Sequence, residues 1–227
     1  MTDKKKVLIT CPNTDYIHRS VVRVLFNLLM DGKHHVTISM PKNRPYENNL
    51  HHIIRDFLKG GFDFWLNIDN DNPPRNNPLD LVELNKDFIG LPTPVWHFDR
   101  VKQKPGDACI YWNVYRKDPN GSDAYVEWHP RDGLQKVDAV GTGCFLASRR
   151  LFLDPKMQQG PFIRKTYPDG RVDKGNDISF CERARENGWE IWAHFDYDCD
   201  HFSELSMLET IRAFRNFYEP ITTHNKP

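Results

Sequence analysis

The stretch Phe62-Asp63-Phe64-Trp65-Leu66-Asn67-Ile68-Asp69-Asn70-Asp71-Asn72-Pro73-Pro74 decides how this chain is read. Its apolar run, Phe64 to Ile68, suits a strand covered on both faces. Pro73-Pro74 ends that strand. Asp69 and Asp71 lie two apart, so in an extended chain both side chains leave on one face. Two carboxylates projecting together repel each other unless a cation sits beside them. A hard divalent ion such as Mg²⁺ or Mn²⁺ is the natural guest. The plain alternative is a solvated acidic turn, for which Asp-Asn-Asp-Asn is also good chemistry.

Upstream, Val7 to Thr10 reads as a buried strand and Cys11-Pro12-Asn13-Thr14 as the turn after it. Ile17, Val21, Val24, Leu25, Leu28 and Leu29 have helical spacing, which predicts a helix from Tyr16 to Met30. His35 to Met40 alternates as a second strand, and Asn48 to Leu58 is a second helix closed by Gly60-Gly61. The order β-α-β-α-β predicts parallel strands with right-handed crossovers. Such sheets bind ligands beyond the carboxyl ends of their strands, where Asp69, Asp71, the 11–14 turn and the 41–45 loop all fall.

Downstream, Pro78 to Leu84 reads as a short helix, with strands at Phe88 to Gly90, Thr93 to Phe98 and Ile110 to Tyr115. Ala124 to Trp128 pairs with the last of these around Asp118-Pro119-Asn120-Gly121. Val137 to Val140 runs into Gly141-Thr142-Gly143, and Cys144 to Ser148 continues as a strand. Residues 155–171 read as a mobile loop. From Gly175 to Gly188 the chain has the punctuation of a helix, with Asn176 or Asp177 as the cap. A carboxylate at that terminus is held ionised by the helix dipole, and so is a candidate general base; it is equally a plain cap. His201 follows another strand end, Glu190 to Phe195, and is a candidate imidazole ligand.

The bulk composition narrows the class. The 227 residues carry 31 basic and 31 acidic side chains, so no global basic charge argues for a dedicated nucleic-acid binder. No stretch reaches the length of a membrane span or a signal-peptide core, so the chain reads as soluble and cytoplasmic. Five cysteines without a CxxC pair suggest reduced thiols.

Taken in order, these features resemble the GT-A glycosyltransferases, over residues 7 to about 205. DxD matches Asp69-Asn70-Asp71, the acidic helix start matches the segment from Gly175 to Arg185, and the C-terminal histidine matches Cys199-Asp200-His201. The resemblance implies one α/β domain over 1–227, Rossmann-like, with a mixed, mainly parallel sheet flanked by helices. A nucleotide-sugar half would span 7–100, an acceptor half 101–205, and a C-terminal helix and tail 206–227. Asp71 and His201 would bind Mn²⁺ or Mg²⁺, and Asp69 the metal or the donor ribose. Cys11, Pro12, Asn13 and Asp15 would lie near the base, Asn49 or Arg55 near the diphosphate, and Asn70 beside them. Gly141, Thr142 and Gly143 would admit the sugar or acceptor, and Asp177 would deprotonate or hold the acceptor hydroxyl. The donor would be a nucleoside-diphosphate hexose, UDP-linked by preference or GDP-linked. The acceptor stays open among glycan, protein, small molecule and hydroxymethylated DNA base. Many members carry Glu-Asp where this chain has Asn176-Asp177.

Three other classes compete. A sugar nucleotidyltransferase shares the first half but normally has a Gly-rich, basic loop after its first strand, and Cys11 to His18 lacks one. A metal-dependent nuclease could use the same three ligands but would gain from a basic surface. A carbohydrate-binding module would not need Asp177. Arg131, Lys136, Arg149, Arg150, Lys156, Arg164, Lys165 and Arg171 make one segment basic, either as a DNA-facing surface or as scattered solvating charges.

Overall fold

The computed structural model describes residues 3–12, 15–96, 110–121, 124–128 and 132–203. In chain order the elements are β1 (Lys6–Thr10), α1 (Arg19–Met30), β2 (His35–Ser39), α2 (Tyr46–Lys59) and β3 (Phe64–Ile68). A 3₁₀ helix (Pro78–Leu84), β4 (Phe88–Gly90), β5 (Pro94–Trp96), β6 (Ile110–Trp112), β7 (Val114–Lys117) and β8 (Tyr125–Glu127) follow. Then come β9 (Leu134–Val137), β10 (Ala139–Val140), β11 (Cys144–Ser148), α3 (Arg149–Leu153) and α4 (Pro155–Gln158). The last are β12 (Lys165–Thr166), β13 (Val172–Lys174), α5 (Asn176–Glu186) and β14 (Ile191–His194). The expected helix at 206–227 lies outside the described residues.

The central sheet has seven strands in the order β2-β1-β3-β11-β4-β14-β9. β2, β1 and β3 are parallel, as the β-α-β-α-β reading requires, and β4 and β14 run the same way. Only β11 and β9 oppose them. The sheet is thus mixed and mainly parallel. Because β11 enters antiparallel beside β3, the turn before β11 and the turn after β3 meet at one edge. Gly141 to Gly143 are thereby placed against Asp69.

Both faces of the sheet are covered. On one, Trp65 is fully buried among Phe57, Phe145, Phe152 and Phe162, with ring centroids 4.8–6.4 Å away. Such tilted and edge-on aromatic contacts each add about 0.5–1.5 kcal/mol beyond the area buried. On the other face, Val21, Leu25 and Leu28 of α1 pack on Val7, Ile9, Leu66 and Ile68.

Several boundaries differ from the reading of the sequence. α1 starts at Arg19, not Tyr16, because His18 is extended and caps the helix with its own ring: Nδ1 accepts from Ser20 N at 3.3 Å. The run 110–115 breaks at Asn113, whose backbone and side chain both pair with Thr93. The run 137–140 breaks at Asp138, which sends β9 to the main sheet and β10 to a separate three-stranded one with β7 and β8. Residues 155–162 are packed rather than a loose loop, whereas 163–171 are exposed. Met157 and Phe162 are core residues, and Phe162 stacks on Phe180 at 4.3 Å.

Candidate functional site

Asp69 and Asp71 are positioned by a turn rather than by an extended strand. β3 ends at Ile68, and Asn72 N bonds back to Asp69 O at 3.2 Å. The two carboxylates take different partners within the protein. Asp69 turns toward α2. Its Oδ1 accepts from the Tyr46 hydroxyl at 2.8 Å and from Asn67 Nδ2 at 3.0 Å. The chain of donors continues inward, since Thr10 Oγ1 donates to Asn67 Oδ1 at 2.8 Å and Trp65 Nε1 donates to Thr10 Oγ1 at 2.7 Å. Burial pushes the Asp69 carboxyl up, the Tyr46 and Asn67 hydrogen bonds pull it back, and the Asp71 charge adds to the rise, leaving it at about 7.

Asp71 faces His201. Its Oδ2 lies 3.7 Å from His201 Nε2. The other ring nitrogen, Nδ1, sits 2.8 Å from the Pro94 carbonyl, which can only accept; Nδ1 therefore carries the proton. Nε2 is left to face the carboxylate, the arrangement that orients a metal-ligating histidine. The Asp71 carboxylate is the main influence raising the His201 pKa, and burial opposes it. Among the described residues no three His, Cys, Asp or Glu side chains are already arranged to hold a metal ion. The chemistry of the donors nevertheless fits a divalent cation that takes both oxygen and nitrogen ligands, such as Mn²⁺, because a carboxylate and an imidazole nitrogen face each other beside a second carboxylate.

A cavity of about 310 Å³ opens beside Asp69, and Pro12, Arg44, Tyr46, Asn49 and Asn70 also line it. Asn49 is 2% exposed and donates to Pro41 O at 3.0 Å. Arg55 is exposed along α2 and does not line this cavity. Asp15 is largely exposed and paired with Lys42 and Arg44. Cys11 is fully buried, and burial with the charges of Asp69 and Asp71 pushes its thiol up to about 12. Asn13 lies outside the described residues.

The glycines of the 141–143 turn are required by close approach. A Cβ on Gly141 would stand 1.9 Å from Asn113 Nδ2, and one on Gly143 would stand 2.2 Å from Asn72 Oδ1. Asp69 N donates to Gly143 O at 2.7 Å, and the buried Thr142 offers its carbonyl to Asn67 Nδ2 at 3.3 Å.

Asp177 lies in the first turn of α5, whose cap is Gly175 rather than Asn176 or Asp177. Its Oδ1 accepts from Ile178 N at 2.8 Å. The helix terminus was expected to hold it ionised. Burial prevails instead and raises its pKa, against the backbone N–H groups and the charge of Arg164. Tyr115 of β7 lies within electrostatic reach of this carboxylate. Tyr46, Asn67, Asn72 and Asn113 were absent from the site read in the sequence. Asn67 had a visible signal, a polar residue interrupting an apolar strand two positions before Asp69. The others gave none, since each meets the site through tertiary contact.

The basic segment is mostly engaged. Lys136 pairs with Glu190, Arg150 with Asp87, Arg164 with Glu47, Lys165 with Glu182 and Arg171 with Asp169. Arg149 donates to the carbonyls of Phe57, Leu58 and Phe62 at the end of α2. This favours scattered charges over a DNA-facing surface; Arg131 lies outside the described residues. A larger cavity, about 490 Å³, lies between β9 and the end of α5. Of its cations, Lys136 and Arg185 are matched by Glu190 and Asp138, and Arg116 donates to Lys136 O at 2.9 Å and lies over the Trp128 ring. The four described cysteines are buried. Among the described residues no helix is long and apolar enough to cross a membrane.

No family model matches the sequence, and no curated relative does. Among solved structures, the chain is similar to A197 from STIV, at a TM-score of 0.58 and 14% identity, covering 88% of this chain and 86% of that one. That likeness bears on the fold alone. Weaker likenesses include UDP-glucose pyrophosphorylase complexed with UDP-glucose (TM-score 0.48, 10% identity, 95% and 99% covered). Another is a glycosyltransferase involved in glycosylation of the major capsid of PBCV-1 (TM-score 0.45, 11% identity, 93% and 98% covered).

Proposed function

We propose that this protein is a metal-dependent glycosyltransferase that moves a hexose from a nucleoside-diphosphate sugar to an acceptor hydroxyl. The observation that carries the reading is the facing pair Asp71 and His201, at the carboxyl edge of a mainly parallel sheet, beside the cavity that Asp69 lines. Asp71 and His201, with Asp69, would hold Mn²⁺ or Mg²⁺. A bound divalent ion supplies charge neutralisation to a leaving diphosphate.

In this reading the residues of the chain divide the work. The 310 Å³ cavity takes the nucleoside, with Asn49 and Arg44 in its wall. Gly141 and Gly143 let the 141–143 turn close against Asn113 and Asn72, which keeps that wall of the site tight beside Asp69. Asp177 takes the proton of the acceptor hydroxyl or holds that hydroxyl in line, and its raised pKa brings it nearer to a working base. The bond from the anomeric carbon to the diphosphate oxygen breaks, and its electron pair leaves with the diphosphate. The bond from that carbon to the acceptor oxygen forms.

The test is release of nucleoside diphosphate from a panel of UDP-, GDP- and dTDP-sugars, with Mn²⁺, with EDTA and with Asp71→Ala. Nucleoside triphosphate plus sugar 1-phosphate runs alongside, with pyrophosphate as its readout. Metal-dependent diphosphate release, lost in the variant, supports the transferase. Pyrophosphate release instead makes the protein a nucleotidyltransferase. Neither release nor metal-dependent binding of free diphosphates removes the reading.

A further inference from the structure

Residues 199–202 form a strap between the two halves of the site. Cys199 N donates to Pro92 O at 2.9 Å, Asp200 N to Pro73 O at 3.1 Å, and Phe202 N to Asp71 O at 2.9 Å. The strap carries His201 past Asp71, and its far end, Phe202, is held both by that backbone bond and by its side chain. Its ring stacks on His18 with centroids 3.8 Å apart and planes 18° from parallel.

His18 is itself tied to the other member of the pair. Its backbone N–H donates to Asn70 O at 2.8 Å, and Asn70 Nδ2 returns a bond to Tyr16 O at 2.8 Å. One residue thus grips the turn that presents Asp71 and, through its ring, the strap that presents His201. We infer that His18 is a positioning residue that sets the Asp71–His201 pair by clamping Phe202. This inference rests on the metal-binding reading of that pair.

His18 has two separable duties, and substitution can part them. His18→Asn keeps a side-chain cap for α1, because asparagine is among the best N-caps, but removes the stacking ring. His18→Phe keeps the ring and removes the cap. Both retain the backbone bond to Asn70.

The experiment is titration of each protein with Mn²⁺ alone, reading free Mn²⁺ by electron paramagnetic resonance, with thermal midpoints taken on the same samples. Wild type and His201→Ala set the scale. We expect His18→Asn to bind Mn²⁺ about tenfold more weakly, as removal of groups supporting a ligand generally does, while His18→Phe stays near wild type. A purely structural role predicts the reverse order, following the cap and the midpoint. If His201→Ala weakens binding and His18→Asn does not, the clamp is wrong and the metal reading stands. Should wild type and His201→Ala be indistinguishable, the metal reading itself falls, and the clamp with it.

Discussion

The Tyr46 hydroxyl donates to Oδ1 of Asp69 at 2.8 Å, joining the first turn of α2 to the end of β3. Asn67 Nδ2 donates to the same oxygen, so one side of a crowded carboxylate is fully engaged from within the protein. Removing one donor leaves that carboxylate short of a partner. Tyr46→Phe should therefore destabilise the fold by about 1–3 kcal/mol. Urea unfolding at neutral pH measures it, and an unchanged midpoint would show that the bond contributes nothing net.

Glu182 governs acid stability at the back of the site. Only 6% of its side chain is exposed, and it accepts from Lys165, Lys174 and Tyr125. Burial pushes its carboxyl up, but these three partners together outweigh that and hold it at about 2, against an ordinary 4.5. A depressed folded pKa contributes stability that is complete above 4.5 and is lost as pH falls through 2. The contribution is at most about 3 kcal/mol. The stability gap between wild type and Glu182→Gln should be flat above pH 5 and shrink steadily between pH 4.5 and 2. A gap independent of pH would refute the assignment.

A side chain at Gly143 should disturb the turn that carries Asp69 and Asp71. The Cβ of Gly143→Ala would meet Asn72 Oδ1 at 2.2 Å, and Asn72 belongs to the turn that carries Asp69 and Asp71. Relieving such overlap costs about 1–3 kcal/mol. Under the proposed metal-binding reading, the loss of Mn²⁺ binding should exceed what the drop in thermal midpoint explains. Equal loss of both would argue that the variant is only less stable.

Asp177→Asn separates chemistry from binding. The amide still accepts from Ile178 N but takes no proton from an acceptor. Turnover should fall by about 10²–10⁴-fold. Affinity for the nucleoside diphosphate, measured by calorimetry with Mn²⁺, should change less than threefold. Loss of affinity in step with turnover would assign Asp177 to donor binding instead.

Local regularities of the chain were enough for its first half. The apolar run Phe64 to Ile68 and the helical spacing from Val21 to Leu28 locate β3 and α1, because burial on a sheet or a helix face imposes a period that survives without tertiary context. Asp69, Asp71, Asp177 and His201 were legible as candidates for the same reason, since turns, helix starts and strand ends are local features.

What only the tertiary structure decided is where those side chains go. Spacing placed Asp69 and Asp71 on one face; the 69–72 turn sent one to Tyr46 and the other to His201. Asn113 and Asn72 stand against Gly141 and Gly143, and His18 reaches Phe202, across separations no local pattern encodes. A period reports which face of an element is buried. It carries no information about which distant residue that face meets, because the partner is set by how strands order themselves in the sheet. For Gly143 and Asn72, the antiparallel entry of β11 beside β3 made that choice.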